Sequence, residues 1–187
     1  MGTENSDSGM SLTPPPPFVL TLKLDAHSFE ALNALRQRYF PVHKNFLPAH
    51  VTLFHALPGD QDEAVRQTLR TVCSETTAFA LSFPKLRFLG KGVAVEIECP
   101  ELIALRRQLS TSWANWLSQQ DRQSLRPHRY NQNKASPEEA QQLYEQLIGS
   151  WKLRPGRGEG LLLWRYLGGP WEMAAEIPFQ QVSHGQS

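Results

Sequence analysis

Pro48-Ala49-His50-Val51-Thr52-Leu53-Phe54-His55 is the stretch on which the reading of this chain turns. Apolar and polar residues alternate from Ala49 to His55, with β-branched residues among them, and this predicts a strand. Strand alternation puts His50, Thr52 and Phe54 on one face and Val51, Leu53 and His55 on the other. With Val51 and Leu53 turned to a core, an imidazole and a hydroxyl remain on the opposite face. That pair suits a phosphate ester, since a hydroxyl can hold a phosphate oxygen and an imidazole can move a proton near neutral pH. His-x-Thr is only three residues long, and a satisfied structural histidine is the default for such a match.

Outward from this strand the elements alternate. Phe18 to Leu24 is apolar and β-prone, and a helix follows from near Ser28 with Phe29, Leu32, Leu35 and Tyr39 at helical spacing. Asp60 with Glu63 resembles a capping box ahead of Val65, Leu69 and Val72. Two strands, Phe79 to Phe88 and Val93 to Cys99, flank a Gly90-Lys91-Gly92 turn. In the second half Leu102, Leu105, Leu109, Trp113 and Trp116 mark one helix face, and Pro127 to Asn133 reads as a short strand. Ser136-Pro137-Glu138-Glu139 is a helix start, with Ser as cap, Pro in the first turn and Glu reaching back. Gly160 to Leu167 and Trp171 to Phe179 form a final hairpin around Gly168-Gly169-Pro170. Gly156-Arg157-Gly158-Glu159-Gly160 leads into a strand rather than a helix, so it reads as a loop and not as a nucleotide cradle.

Each half thus shows a helix, a His-bearing strand, a helix and a hairpin, which reads as an internal duplication. The expected architecture is α+β: two pseudo-symmetric lobes around a central cleft, each an antiparallel-rich sheet with helices on its outer face. The folded region is residues 18–179, with approximate halves 18–99 and 100–179. Residues 1–17 read as a disordered tail ending in a stiff Pro14-to-Pro17 spacer, and 180–187 as a flexible tail. The first six residues formally fit an N-myristoylation pattern, but that pattern matches many unrelated chains and a disordered leader is the expected reading.

Composition narrows the function classes. The 187 residues are 40% hydrophobic and 20% charged, with a formal net charge of +1. This is no basic arm that coats long nucleic acid; any nucleic-acid contact is local, at one or a few phosphates. No apolar run approaches the roughly 18 residues of a membrane span. Cys73 and Cys99 form no CxxC pair, which points to reduced thiols and a cytoplasmic setting. No HExxH or Cys-His cluster and no G-x-S-x-G elbow is present, so neither a zinc site nor a serine-hydrolase triad is expected.

The second half offers a counterpart to His50. Arg126-Pro127-His128-Arg129-Tyr130-Asn131 also enters a strand ahead of a capped helix. With Phe88-Leu89-Gly90-Lys91-Gly92-Val93, Gln132 to Ala140 and Leu163-Trp164-Arg165-Tyr166-Leu167-Gly168-Gly169-Pro170-Trp171, the chain resembles the two-histidine (2H) phosphoesterase superfamily, in its 2′-5′ RNA ligase-like branch. The resemblance covers roughly residues 18–179. It implies one His-x-Thr/Ser motif per lobe and two catalytic histidines, His50 and His128, facing one cleft. Thr52 would bind phosphate, and Tyr130 stands where the family has a second Thr or Ser.

The chemistry implied is cofactor- and metal-free hydrolysis of a 2′,3′-cyclic phosphate or 2′-5′ phosphodiester, with ligation as its reverse. One imidazole acts as base and the other as acid. The partner is an RNA end or a nucleotide, with no membrane, and the protein a monomer. Lys134, Arg165, Arg87 and Lys91 are candidate phosphate contacts, each against the plainer reading of solvated charge. Trp164 and Tyr166 share a strand face on which a base could stack, or else pack a core. The alternative function is a nucleotide- or RNA-end-binding protein of the same fold with weakened chemistry, which Tyr130 favours.

Overall fold

Phe18–Leu24 (β1) carries apolar residues at most of its positions, and all but Lys23 are buried. A strand covered on both faces belongs in the middle of a sheet. β1 pairs antiparallel with Val51–Leu57 (β2) on one side and Gly156–Tyr166 (β6) on the other. The far edge of β6 takes two strands end to end, Phe79–Leu81 (β3) and Trp171–Pro178 (β7). Leu86–Phe88 (β4) and Val93–Val95 (β5) form a separate two-stranded sheet. Among the described residues four α-helices pack on this frame: α1 (Ala26–Tyr39), α2 (Asp62–Glu75), α3 (Pro100–Ser112) and α4 (Pro137–Ile148). The computed structural model describes residues 14–39, 45, 47–123 and 136–180; the expected strand Pro127 to Asn133 lies outside them.

The α+β architecture with antiparallel sheets is as expected. Its halves, however, exchange strands. β6 and β7 complete the sheet that β1 and β2 begin, while α4 packs on β4 and β5. One core serves both sheets, joining Phe18, Leu20, Leu161 and Leu163 to Leu69 of α2, Leu105 of α3 and Val93 of β5.

Local signals explain several elements. Ser136 accepts from the Glu139 amide while Glu139 reaches back to the Ser136 amide, the reciprocal cap expected for α4. α1 starts earlier than its apolar spacing suggests, because Asp25 caps it by accepting from the Ser28 amide at 3.0 Å. The same carboxylate accepts from the Arg157 amide at 2.6 Å and so ties α1 to β6. The two predicted glycine turns hold Gly90 and Gly168 at φ of 79° and 85°, in the left-handed region.

Other expectations give way. The capping box at Asp60 and Glu63 does not form: a 3-10 turn at Gly59–Gln61 precedes α2, and Gln61 makes no side-chain cap. The predicted strand Phe79 to Phe88 is two, broken around Ser82-Phe83-Pro84, where a proline has no amide for a ladder. Its first part joins the large sheet and its second the small one. The glycine-rich stretch expected as a loop is the start of β6. A Cβ at Gly156 would meet Ser28 Oγ at 2.0 Å and one at Gly158 the Phe79 ring at 2.6 Å. These glycines admit close neighbours rather than a phosphate. The proline spacer also docks at its end, where the Pro17 carbonyl accepts from the Tyr166 amide at 2.9 Å.

β2 lies at the sheet's edge, and its register against β1 shifts twice, between Leu57 and Phe54 and between Phe54 and Thr52. These bulges reset the alternation, so Phe54 is fully buried although the simple pattern placed it with His50 and Thr52. Phe54 packs edge-on against Trp113. The open edge is closed by side chains. Asp121, only 2% exposed, accepts from the amides of His55 and Ala56, from His55 Nδ1 and from Ser118. Arg106 donates to the Leu53 carbonyl at 2.6 Å and to the Asp121 carbonyl at 2.5 Å, lying 3.6 Å from the Phe54 ring centroid. Together they supply the donor and acceptors that a further strand would have given. Among the described residues no helix is long and apolar enough to cross a membrane.

Asp121→Ala leaves buried edge amides without an acceptor and is expected to cost about 3 kcal/mol at pH 7, read by urea denaturation. Burial alone would raise the Asp121 pKa, but the hydrogen bonds from His55 and Ala56 outweigh it and hold the carboxyl below its ordinary value. Such a group contributes stability above its unfolded pKa of about 3.9 and loses it as pH falls through the folded value. The gap between wild type and variant therefore narrows on acidification below about pH 4.

Candidate active site

Side chains directly opposite in an antiparallel ladder share a face. Thr21 of β1 pairs with Thr52 of β2, Val19 with Trp164, Trp164 with Met173, and Tyr166 with Trp171. One face of the large sheet therefore carries Thr52, Thr21, Trp164, Tyr166 and Trp171. Trp164 Nε1 donates to Thr21 Oγ1 at 2.9 Å, which fixes its ring over the middle of that face. The Trp171 ring lies 6.0 Å from it, centroid to centroid.

His50 sits where the chain bends into β2, and its half-buried ring reaches this face. The imidazole centroid is 4.8 Å from that of Trp171, at a tilt of 52°. His50 Nδ1 lies 2.8 Å from the Pro48 carbonyl oxygen. A carbonyl only accepts, so Nδ1 carries the proton and Nε2 of the neutral ring keeps its lone pair. Burial pushes the His50 pKa down, against the Pro48 hydrogen bond that raises it; Arg36 and His55 add to the lowering. The ring is thus held neutral near pH 7, with one nitrogen assigned as acceptor. A base poised this way can take a proton from water or from a ribose hydroxyl.

The other sequence candidates fall as follows. Thr52 shares the face with Thr21, and its side chain is half-buried. Trp164 belongs to the face through its bond to Thr21, and Tyr166 stands at its hairpin end, 40% exposed. Arg165 does not join them. Alternation turns it to the opposite face, where it donates to Asp62 of α2 at 3.0 Å and lies over the Phe18 ring. A guanidinium engaged there ties β6 to α2, away from the face that carries Trp164. Arg87 and Lys85 flank the buried Glu96 on the small sheet, at 2.9 and 3.2 Å. His128, Tyr130 and Lys134 lie outside the described residues.

Sequence reasoning places Trp171 in a strand and in the resembling stretch, but gives it no role. The signal is available: a tight turn at Gly168-Gly169-Pro170 makes Trp171 the partner of Tyr166 and so puts it on the face of Trp164. Asn33 and Arg36 of α1 are missed as well. Arg36 Nε donates to the Leu47 carbonyl at 2.8 Å, and Asn33 Oδ1 accepts from the Ala49 amide at 3.0 Å. Both hold the segment that delivers His50.

Known proteins share this fold. Crystal structures of E. coli LigT match at 16% identity: the form complexed with 3′-AMP with a TM-score of 0.58, covering 89% of this chain and 99% of that one, and the apo form with 0.59, covering 90% and 100%. A protein of Thermus thermophilus, TT0787, matches with a TM-score of 0.58 at 13% identity, covering 88% of this chain and 98% of that one. No curated protein sequence matches. A family model of the 2′-5′ RNA ligase superfamily matches residues 24–170, a span that runs from the end of β1 through the β6–β7 turn. The chain accordingly belongs to the 2′-5′ RNA ligase superfamily.

Proposed function

We propose that this protein is a metal-independent phosphodiesterase acting on a 2′,3′-cyclic phosphate or a 2′-5′ phosphodiester at an RNA end or nucleotide. The observation that carries the reading is the placement of His50: Nδ1 lies 2.8 Å from the Pro48 carbonyl, which leaves Nε2 as the acceptor, on a sheet face that also bears Thr52. In this reading His50 Nε2 removes a proton from water, the water oxygen attacks phosphorus, and one ribose oxygen leaves. His128 gives that oxygen a proton. The open lone pair implied by the Pro48 bond, with burial lowering the proton affinity of His50, supports the base role for it. The Thr52 hydroxyl holds a nonbridging oxygen, where charge grows in the transition state. With a ribose 5′-hydroxyl in place of the attacking water, the same two groups run the ligation: the 5′ oxygen bonds to the phosphorus of a 2′,3′-cyclic phosphate, the bond to the 3′ oxygen breaks and that oxygen takes the proton, which leaves a 2′-5′ linkage. Trp171 and Trp164 offer aromatic faces beside His50 for a nucleobase. That E. coli LigT is known complexed with 3′-AMP, NADP+ and ATP supports a nucleotide as the ligand. A monomeric protein working in the cytoplasm fits the small net charge and the two unpaired, buried thiols.

The second reading is a binding protein of the same fold, and Tyr130 at the second motif is what favours it. A phenol holds its oxygen further from the backbone than a threonine does.

Hydrolysis of a 2′,3′-cyclic mononucleotide or a 2′-5′ dinucleotide in EDTA is the direct test. His50→Ala and His128→Ala are each expected to lower kcat about 10²- to 10⁴-fold. Turnover that survives both single changes rules out the pair. If wild type is silent and Tyr130→Thr turns over, the binding reading holds instead.

The pH profile checks the assignment of the base. The acid limb of kcat/KM should lie below the ordinary imidazole value of about 6.5. Trp171→Ala exposes the His50 ring to water, so the limb should move up towards that value while KM rises. A limb that stays in place would separate Trp171 from the proton affinity of His50.

A further inference from the structure

Three consecutive residues ahead of β2 are each held by a different group. Arg36 Nε donates to the Leu47 carbonyl at 2.8 Å and to Asn45 Oδ1 at 2.9 Å. The Pro48 carbonyl accepts from His50 Nδ1 at 2.8 Å. The Ala49 amide donates to Asn33 Oδ1 at 3.0 Å. The last two bonds belong to one peptide unit, because Pro48 C=O and Ala49 N–H lie in the same plane. A trans peptide is rigid and points these two groups in opposite directions. Asn33 therefore holds one end of the unit whose other end orients the imidazole. Arg36 holds the peptide before it.

Asn33 and Arg36 stand three residues apart on α1, and side chains at that spacing are neighbours on one helix face. Arg36 is buried, 8% exposed, a placement that is costly for a guanidinium unless its donors are satisfied. Nothing in an amphipathic helix requires a buried arginine at that position. Its bonds to Asn45 and Leu47 tie it to the segment that carries His50.

We infer that Asn33 and Arg36 are positioning residues for His50, fixing through the peptide units on either side of Pro48 the carbonyl that sets the direction and tautomer of the imidazole. The inference builds on the reading of His50 as the acid–base group, and it places part of the catalytic precision in a helix that need not touch substrate. Their effect passes through the backbone, so it should appear in the chemical step and not in substrate affinity. A misplacement of about 1 Å at a reacting group costs up to roughly 10²-fold in rate.

The test uses the full-length chain with ¹⁵N-labelled histidine, and reads the His50 tautomer from two-bond nitrogen–proton couplings. Wild type should show the Nδ1–H form. Asn33→Ala, and the similarly sized Asn33→Leu should the alanine variant fail to fold, should show a mixture of both tautomers. Asn33→Asp keeps the acceptor and should keep the Nδ1–H form. With a cyclic nucleotide as substrate, Asn33→Ala should lower kcat about 10- to 100-fold with KM within about twofold. A folded Asn33→Ala or Asn33→Leu protein that keeps the pure Nδ1–H tautomer overturns the inference, as does a loss confined to KM. The coupling measurement needs no turnover. Wild type without activity but with the expected tautomer shift would sink the proposed reaction and leave the clamp standing; active wild type with unshifted variants would do the reverse.

Discussion

The antiparallel pairing of β1 with β6 is the constraint on which the rest of the structure depends. It joins Phe18–Leu24 to a strand from the last quarter of the chain, through a continuous register from Phe18↔Arg165 to Lys23↔Gly160. β1 is then covered on both faces, and a strand of that kind has no stable place except between two others. β2 takes the remaining side of β1, and β3 and β7 take the remaining side of β6. The site follows from the same pairing. Thr21 meets Thr52 on one side and receives the Trp164 indole from the other, so residues from both ends of the sequence share one face.

Closing the sheet at β2 has a consequence for chemistry. An edge strand that follows the proposed catalytic histidine must not slip, because a one-residue shift would exchange its faces. Two bulges and the clasp from Asp121 and Arg106 pin β2 in register downstream, at Leu53, His55 and Ala56. Upstream, Asn33 and Arg36 pin the approach. His50 lies between these anchors. Buried charged groups thus serve placement, which is a better-attested use of buried charge than stability alone.

What can be read in the sequence divides along the range of the interaction that decides each element. β1 and the cap of α4 depend on neighbours a few residues away, and both stand where composition and spacing put them. The break at Ser82-Phe83-Pro84 reads as a continuous strand, because which sheet each part joins is decided by partners far along the chain. The glycines of β6 read as a loop, because Ser28 and Phe79 arrive against them only in the folded state. Phe54 falls in the wrong company for a related reason, since a bulge shifts the phase of a strand without any local mark. In the candidate site, the motif is what singles out His50 and Thr52. It does not separate Arg165 from its strand neighbour Trp164: alternation does, turning Arg165 to the far face, where it meets Asp62.

The asymmetry between the nitrogens of His50 is the last step. A histidine named by a motif has two equivalent roles open to it, and the sequence cannot choose. The choice is made by a backbone carbonyl, two residues back, that accepts a hydrogen bond from Nδ1–H. Burial beside Trp171 then disfavours a second proton, and the nearby Arg36 charge adds to that effect. A neutral ring with Nε2 unprotonated is a base before it is an acid. In the proposed reaction that geometry favours His50 as the group that takes the proton and leaves protonation of the departing oxygen to another group, as a two-histidine site would divide the work.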